Sequence, residues 1–307
     1  MNFLVVTWNV DPVFFSLFGI DIAYYGLLWV AAFVVGAYVF GKMVQSEGLN
    51  PDMTDSAFMY MLIATIIGAR LGHCFFYEPA YYLANPWQIL NLRAGGLASH
   101  GAAVGMALGI FLYARHWKIP ALWLFDRVGI VVAVGGALIR MGNLLNSEIY
   151  GTATDMPWGF IFVRAGETMP MHPTQIYEAL AYMVIFFILM HLYWRTNLAS
   201  RRGVMFGVFL ILLFGMRLWI ESIKQVQEPW EAALPLNMGQ MLSIPFIVVG
   251  FGILIWALMR PAKPYINMPR PKKRSPKAEK ELKAAMAAKA AKSSKAEKKS
   301  SKAEKKK

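Results

Sequence analysis

Long uncharged stretches recur along the first 260 residues, broken by short polar connections. No charge stands between Asp21 and Lys42. A second apolar stretch runs from about Ser56 to Phe76, with Arg70 inside it. A third follows His100 through Ala114, and a fourth covers Ala121 to Ile139, with Asp126 and Arg127 near its start and Arg140 at its end. The fifth spans Gln175 to Trp194, the sixth Gly203 to Ile220, and the seventh falls within the uncharged stretch 232–259. A spanning helix needs about 20 mostly apolar residues. The pattern therefore predicts an all-α polytopic membrane protein with seven transmembrane helices.

Composition agrees. The chain is 57% hydrophobic and only 16% charged, against about 25% charged in an ordinary soluble domain. Its net charge of +13 suggests a nucleic-acid binder until it is located. Residues 261–307 hold 17 basic and 4 acidic side chains, so residues 1–260 are neutral. The chain thus divides into an integral membrane domain, 1–260, and a tail, 261–307, expected to be disordered and cytoplasmic, resting on anionic lipid. No aromatics interleave the tail's charges, so no nucleic-acid partner is expected. The single cysteine, Cys74, excludes an internal disulfide and reads as a small packed side chain. The start, MNFLVVTWNVDP, lacks the basic region of a cleavable signal peptide.

Loop charges set an orientation. With the C-terminus cytoplasmic, inner loops hold Lys42, Arg115, Lys118, Arg195, Arg201 and Arg202, followed by Arg260. Outer loops hold only Arg93, Arg164 and Lys224. Lys and Arg accumulate on the cytoplasmic side, so the N-terminus is expected to be periplasmic. Up-and-down threading then places Tyr25, Arg70, His100, Arg140, Asn143, His172, Gln175, Glu178, Arg217, Glu221 and Gln240 at outer helix ends. Ionisable groups in a membrane are costly and usually face a protein interior or a wet cavity. Several arginines at one depth suit a phosphate, because guanidinium is always charged and binds it bidentately. Lipid headgroups supply phosphate there. Gly95, Gly96, Gly101, Gly105, Gly109, Gly129, Gly135 and Gly136 allow close helix packing. Gly151 is expected to permit a tight turn with backbone close to a ligand.

The segment RMGNLLNSEIYG, Arg140 to Gly151, closely resembles the characteristic motif of the prolipoprotein diacylglyceryl transferase family. Further matches follow in chain order: DPVFFS from Asp11, YYGLL around Tyr25, GARLG around Arg70, GGLASHGAAVG around His100, HPTQIYE at His172–Glu178, RLWIE at Arg217–Glu221 and GQMLSIP at Gly239–Pro245. Together they cover about residues 11–257. The chain departs from the family at Ala102, where a second glycine is common, and at Met171, where an arginine is common. Leu213-Phe214 stand where the family often has a tyrosine.

The resemblance implies an enzyme of the bacterial inner membrane. It would move diacylglyceryl from phosphatidylglycerol to the lipobox cysteine thiol of a prolipoprotein, releasing glycerol phosphate, as the first step of lipoprotein maturation. Sulfur attacks a glyceryl carbon and a phosphate monoester leaves, so the thiol must lose a proton and the departing charge must be held. Arg140 matches the family's lipid-phosphate arginine. Arg217 could clamp the same phosphate, with Glu221 orienting it through an i,i+4 pair. Asn143, Asn146, Glu148 and Tyr25 could bind glycerol hydroxyls or position the lipid. Arg70, Gly151, His172, Gln175 and Glu178 complete the expected binding set. His100 could act as base, in competition with an arginine network that needs no dedicated base. No metal or cofactor is expected, as there is no HExxH and no acidic cluster of the phosphotransferase kind. The alternatives are a transporter, which would usually show internal repeats, and a nonenzymatic lipid-binding protein with an outer-leaflet arginine site.

Overall fold

The computed structural model describes residues 5–92, 95–225 and 236–262. Residues 263–307 of the Lys-rich tail, Arg93 and the start of the seventh apolar stretch lie outside them. Among the described residues, seven long helices form at the expected stretches: α1 Tyr24–Ser46, α2 Asp52–Phe76, α4 Ser99–Trp117, α5 Ala121–Leu145, α6 Thr174–Arg195, α7 Val204–Ile220 and α8 Met238–Leu258, with a short α3, Pro79–Ala84, after α2. Six of them are long and apolar enough to cross a membrane. The exception, α4, carries His100, Arg115 and His116.

Outward faces carry bare apolar side chains. Val30 and Val34 on α1, Val184 and Phe187 on α6 and Val248 on α8 are each more than half exposed. Water would penalise so large an apolar surface, whereas lipid chains accept it. The chain is a multi-pass membrane protein.

The helices pack as α1 on α5, α5 on α6, α7 on α8 and α2 on α4. The α2–α4 pair is the closest. A Cβ on Gly105 would lie 2.8 Å from Gly68 Cα, and one on Gly72 would lie 2.7 Å from Gly101 Cα. The two backbones are in contact, as small residues permit in a membrane. Cys74 is fully buried in α2, as expected for a small packed side chain.

Charges near the start of α5 pin the end of the bundle away from Arg140. Arg127 is fully buried, donates to Glu47 Oε1 at 2.6 Å and lies over the Trp123 ring at 4.5 Å. Trp123 Nε1 donates to Glu47 Oε2 at 2.9 Å, and Tyr193 Oη also donates to Glu47. Asp126 accepts from the Gly203 and Phe206 amides, at 2.7 and 2.9 Å, satisfying the free donors at the start of α7. These contacts hold α1, α5, α6 and α7 together.

Short strands supplement the helices. β1 (Val6–Trp8) pairs in parallel with β4 (Phe160–Phe162), and β2 (Val13–Leu17) forms an antiparallel hairpin with β3 (Ile20–Ala23). Their apolar pattern does not announce them, because three to five residues give too few alternations. Trp8 Nε1 donates to the Leu144 carbonyl at 2.9 Å, so β1 is fastened to the C-terminal end of α5. The segment between α5 and α6 gathers at this same end.

Candidate active site

The last turns of α5 present Arg140 and Asn143 three residues apart, on one helix face. Arg140 Nη1 donates to Asn143 Oδ1 at 3.1 Å. Asn143 Nδ2 in turn donates to Glu148 Oε1 at 2.8 Å, and Asn146 Nδ2 reaches the same oxygen at 3.2 Å. The amides and carboxylate of the Arg140–Gly151 motif therefore bond to one another and orient the arginine. Gln175, fully buried at the start of α6, donates to the Glu148 carbonyl at 2.7 Å. The Thr174 hydroxyl donates to the Ile149 carbonyl at 2.9 Å. These bonds fasten the motif to α6.

A second set of contacts crosses from α5 to the end of α7. Arg140 Nε lies 2.8 Å from Glu178 Oε2 as an ionic contact, not an aligned hydrogen bond. Lys224 Nζ donates to Glu178 Oε1 at 2.9 Å and to Glu221 Oε2 at 3.3 Å. Arg217 Nε stands 3.9 Å from Glu221 Oε2, the expected i,i+4 pair. The Tyr182 ring, one turn along α6 from Glu178, lies against Gly136, about one turn before Arg140 on α5, where a Cβ would come within 2.9 Å of Tyr182 Cδ2. Asn237 Nδ2 donates to the Glu221 carbonyl at 2.7 Å and caps α8 in a reciprocal box with Gln240. Gly239 leaves room for the Glu221 carboxylate, since a Cβ there would overlap it.

Tyr25 joins the site by packing. Its ring lies against Gly142, where a Cβ would come within 2.6 Å of Tyr25 Cδ2. His172 approaches Tyr177 Oη at 3.2 Å, and Trp158 Nε1 donates to that hydroxyl at 2.8 Å. Burial lowers the His172 pKa, favouring the neutral ring. Nearby, the Tyr150 hydroxyl donates to Glu167 at 2.7 Å, and burial with this carboxylate raises its pKa to about 12.

Three expected residues differ in setting from that expectation. Gly151 makes no tight turn. The left-handed positions are Ser147 and Ile149, at φ 55° and 60°. Gly151 instead pairs with Lys224 in an isolated bridge, and a Cβ there would meet Thr174 Cγ2 and His172 Cβ at 2.8 Å. The glycine admits the neighbouring chain. Arg70 is almost fully buried, and all five of its N–H donors face carbonyls: Ile89, Gly95, Gly96, Gln88 and Asn91. It orders the loop between α3 and α4 and offers no donor to a phosphate in this arrangement. His100 is exposed in the first turn of α4. Among the described residues, no hydrogen bond or ion pair joins it to the Arg140 network. Gly101, beside His100, lies against Gly72 near the end of α2, while Gly142, beside Arg140, lies against Tyr25 at the start of α1.

Sequence reasoning missed Lys224 and Tyr182. Lys224 read as an outer-loop cation; its spacing of three from Glu221 was the available signal. Tyr182 lies inside an apolar run, but at i+4 from Glu178. Among the described residues, no group of three His, Cys, Asp or Glu side chains could hold a metal ion.

This arrangement places two guanidiniums and an amide–carboxylate set where helix ends converge, a chemistry suited to an anionic headgroup. A model of the family described as prolipoprotein diacylglyceryl transferase matches residues 12–256. A protein of Porphyromonas gingivalis is 46% identical over 271 residues, covering 83% of this chain and 96% of the relative. One of Chloroherpeton thalassium is 41% identical, covering 84% and 96%, and one of Tolumonas auensis is 41% identical, covering 83% and 99%. Each of the three is named phosphatidylglycerol–prolipoprotein diacylglyceryl transferase. With the Arg140–Gly151 motif folded around its arginine and a match that runs from before α1 into α8, the chain belongs to the prolipoprotein diacylglyceryl transferase family.

Proposed function

We propose that this chain transfers diacylglyceryl from phosphatidylglycerol to the lipobox cysteine of prolipoproteins, in the bacterial inner membrane. The observation that carries this reading is the network holding Arg140 and Arg217 at one end of the helices, in a chain so similar to relatives of that name. The cysteine sulfur attacks the glyceryl carbon bonded to phosphate oxygen. A C–S bond forms, the C–O bond breaks, and glycerol phosphate leaves with the bonding electron pair. Arg140 and Arg217 hold the phosphate as its charge grows. His100 accepts the thiol proton. Glu178 and Glu221 set the arginines, and Asn143, Asn146 and Glu148 orient Arg140 from the other side. Tyr25, Gln175 and His172 shape the lipid and peptide site, and Gly151 keeps its floor closely packed.

All seven long helices span the membrane in this reading, α4 included. It exposes Val104, Leu108, Phe111 and Leu112, each by half or more. The N-terminus is then periplasmic, the C-terminus cytoplasmic, and the site faces the outer leaflet. A reporter fused after Lys307 should read cytoplasmic and one at the N-terminus periplasmic; the reverse would place the site at the inner leaflet. Residues 1–260 form the catalytic domain, and the Lys-rich tail lies beyond the family match.

The donor lipid tests the electrostatics. Purified protein should use phosphatidylglycerol at least tenfold faster than phosphatidylethanolamine, whose ammonium is repelled by the arginines. Equal rates with the two lipids would refute a site selected by headgroup charge.

A further inference from the structure

We propose that Lys224 is a positioning residue that sets the spacing of Arg140 and Arg217, as the centre of one alternating ion chain. The proposal rests on the diacylglyceryl-transfer reading. Five side chains follow one another in the order Arg140, Glu178, Lys224, Glu221, Arg217, with N–O separations of 2.8, 2.9, 3.3 and 3.9 Å. They come from α5, α6, the end of α7 and the turn after it. The arginines at the two ends are the most exposed of the five. The side chains of Glu178 and Lys224 are 1% and 5% exposed, whereas Arg140 is 17% and Arg217 33% exposed. The buried centre therefore supports two arginines at its open ends.

Charge balance explains why a cation is needed there. Each carboxylate is shared between Lys224 and one arginine. Without Lys224, Glu178 would be left to Arg140 alone and Glu221 to Arg217 alone. Burial strengthens such pairing, because little water competes for the charges. Both guanidiniums would be drawn inward onto their carboxylates and away from a phosphate. The chain of three cations and two carboxylates would also lose its single net positive charge, and with it part of its preference for an anionic ligand. The backbone of Lys224 is built to hold this place. It pairs with Gly151 in a bridge, Thr152 N donates to the Ile223 carbonyl at 2.9 Å, and Lys224 N donates to the Glu221 carbonyl at 3.2 Å.

The test uses the full chain in nanodiscs, as the parent, Lys224→Met and Lys224→Arg. Transfer from phosphatidylglycerol to a lipobox peptide is measured beside binding of phosphatidylglycerol relative to phosphatidylcholine. Lys224→Met should lower kcat/KM by about 10–100-fold, with a fall in kcat as well as a rise in KM, and should reduce the lipid preference at least fivefold. Lys224→Arg should recover both to within about fivefold of the parent. Combined with Arg217→Lys, Lys224→Met should cost less than the product of the two single losses, since both act on one arrangement. Inserted Lys224→Met protein within threefold of the parent would overturn the proposal. So would multiplicative losses in the double variant, or Lys224→Arg protein impaired more than 30-fold. If Lys224→Met does not accumulate, the Lys224→Arg result decides alone by those limits. A parent that binds phosphatidylglycerol but transfers nothing refutes the functional reading instead, and the binding comparison still judges Lys224.

Discussion

Arg140→Lys should lower kcat by about 10²–10³-fold although it keeps the charge. A guanidinium has five N–H donors. In Arg140, Nη1 holds Asn143 while Nε faces Glu178. Lysine replaces this planar fork with a point charge on a flexible stem. It cannot keep Glu178 and Asn143 in place and also span two phosphate oxygens. Losing one preorganised contact to charge that develops in the transition state costs roughly 2.7–4 kcal/mol, which corresponds to that rate loss. Transfer kinetics on inserted protein of parental thermal stability would check it. Because the contact strengthens as the phosphate departs, kcat should fall more than KM rises. A variant within fivefold of the parent would mean that charge alone suffices.

His100→Gln should lower the rate by about 10²–10⁴-fold at neutral pH, the range for removal of a general base. Glutamine keeps hydrogen bonding but cannot take the thiol proton. The free thiol has a pKa of about 8.5, so thiolate becomes available without help as pH rises. The deficit should therefore shrink across pH 7 to 9 while the parent changes little. His100 is exposed, and among the described residues it has no hydrogen bond or ion pair within the protein. A deficit below tenfold, unchanged with pH, would make His100 structural. The arginines would then carry the chemistry by holding the phosphate and lowering the thiol pKa.

The long helices were legible because lipid imposes a long, simple code of about 20 apolar residues at a time, which six of those described satisfy and α4 does not. Parts of the site were legible for a local reason. Arg217 and Glu221 are one helical turn apart, and Arg140, Asn143 and Glu148 fall within nine residues of one helix end. What crosses between helices was less so. Glu178 was expected near the lipid, but its partners, Arg140 on α5 and Lys224 beyond α7, are set by packing that no local spacing encodes. Lys224 read as an outer-loop cation and counted only toward the orientation. Arg70 looked like a phosphate ligand because backbone carbonyls, its actual acceptors, are present at every residue and leave no mark in the sequence. Gly151 misled for a related reason. A glycine needed for close approach and one needed for a left-handed turn are the same letter, and the turn fell to Ser147 and Ile149.

One measurement reaches the central claim most directly. Purified protein is mixed with phosphatidylglycerol and a peptide carrying a lipobox cysteine, and the peptide is weighed by mass spectrometry. The expected result is a mass increase of one diacylglyceryl group, located on the cysteine sulfur and absent when that cysteine is replaced by serine, with glycerol phosphate released in equal amount. An unmodified peptide beside correctly inserted, lipid-bound protein would contradict the assignment, and a chain that binds the headgroup without reacting would be a lipid-binding protein.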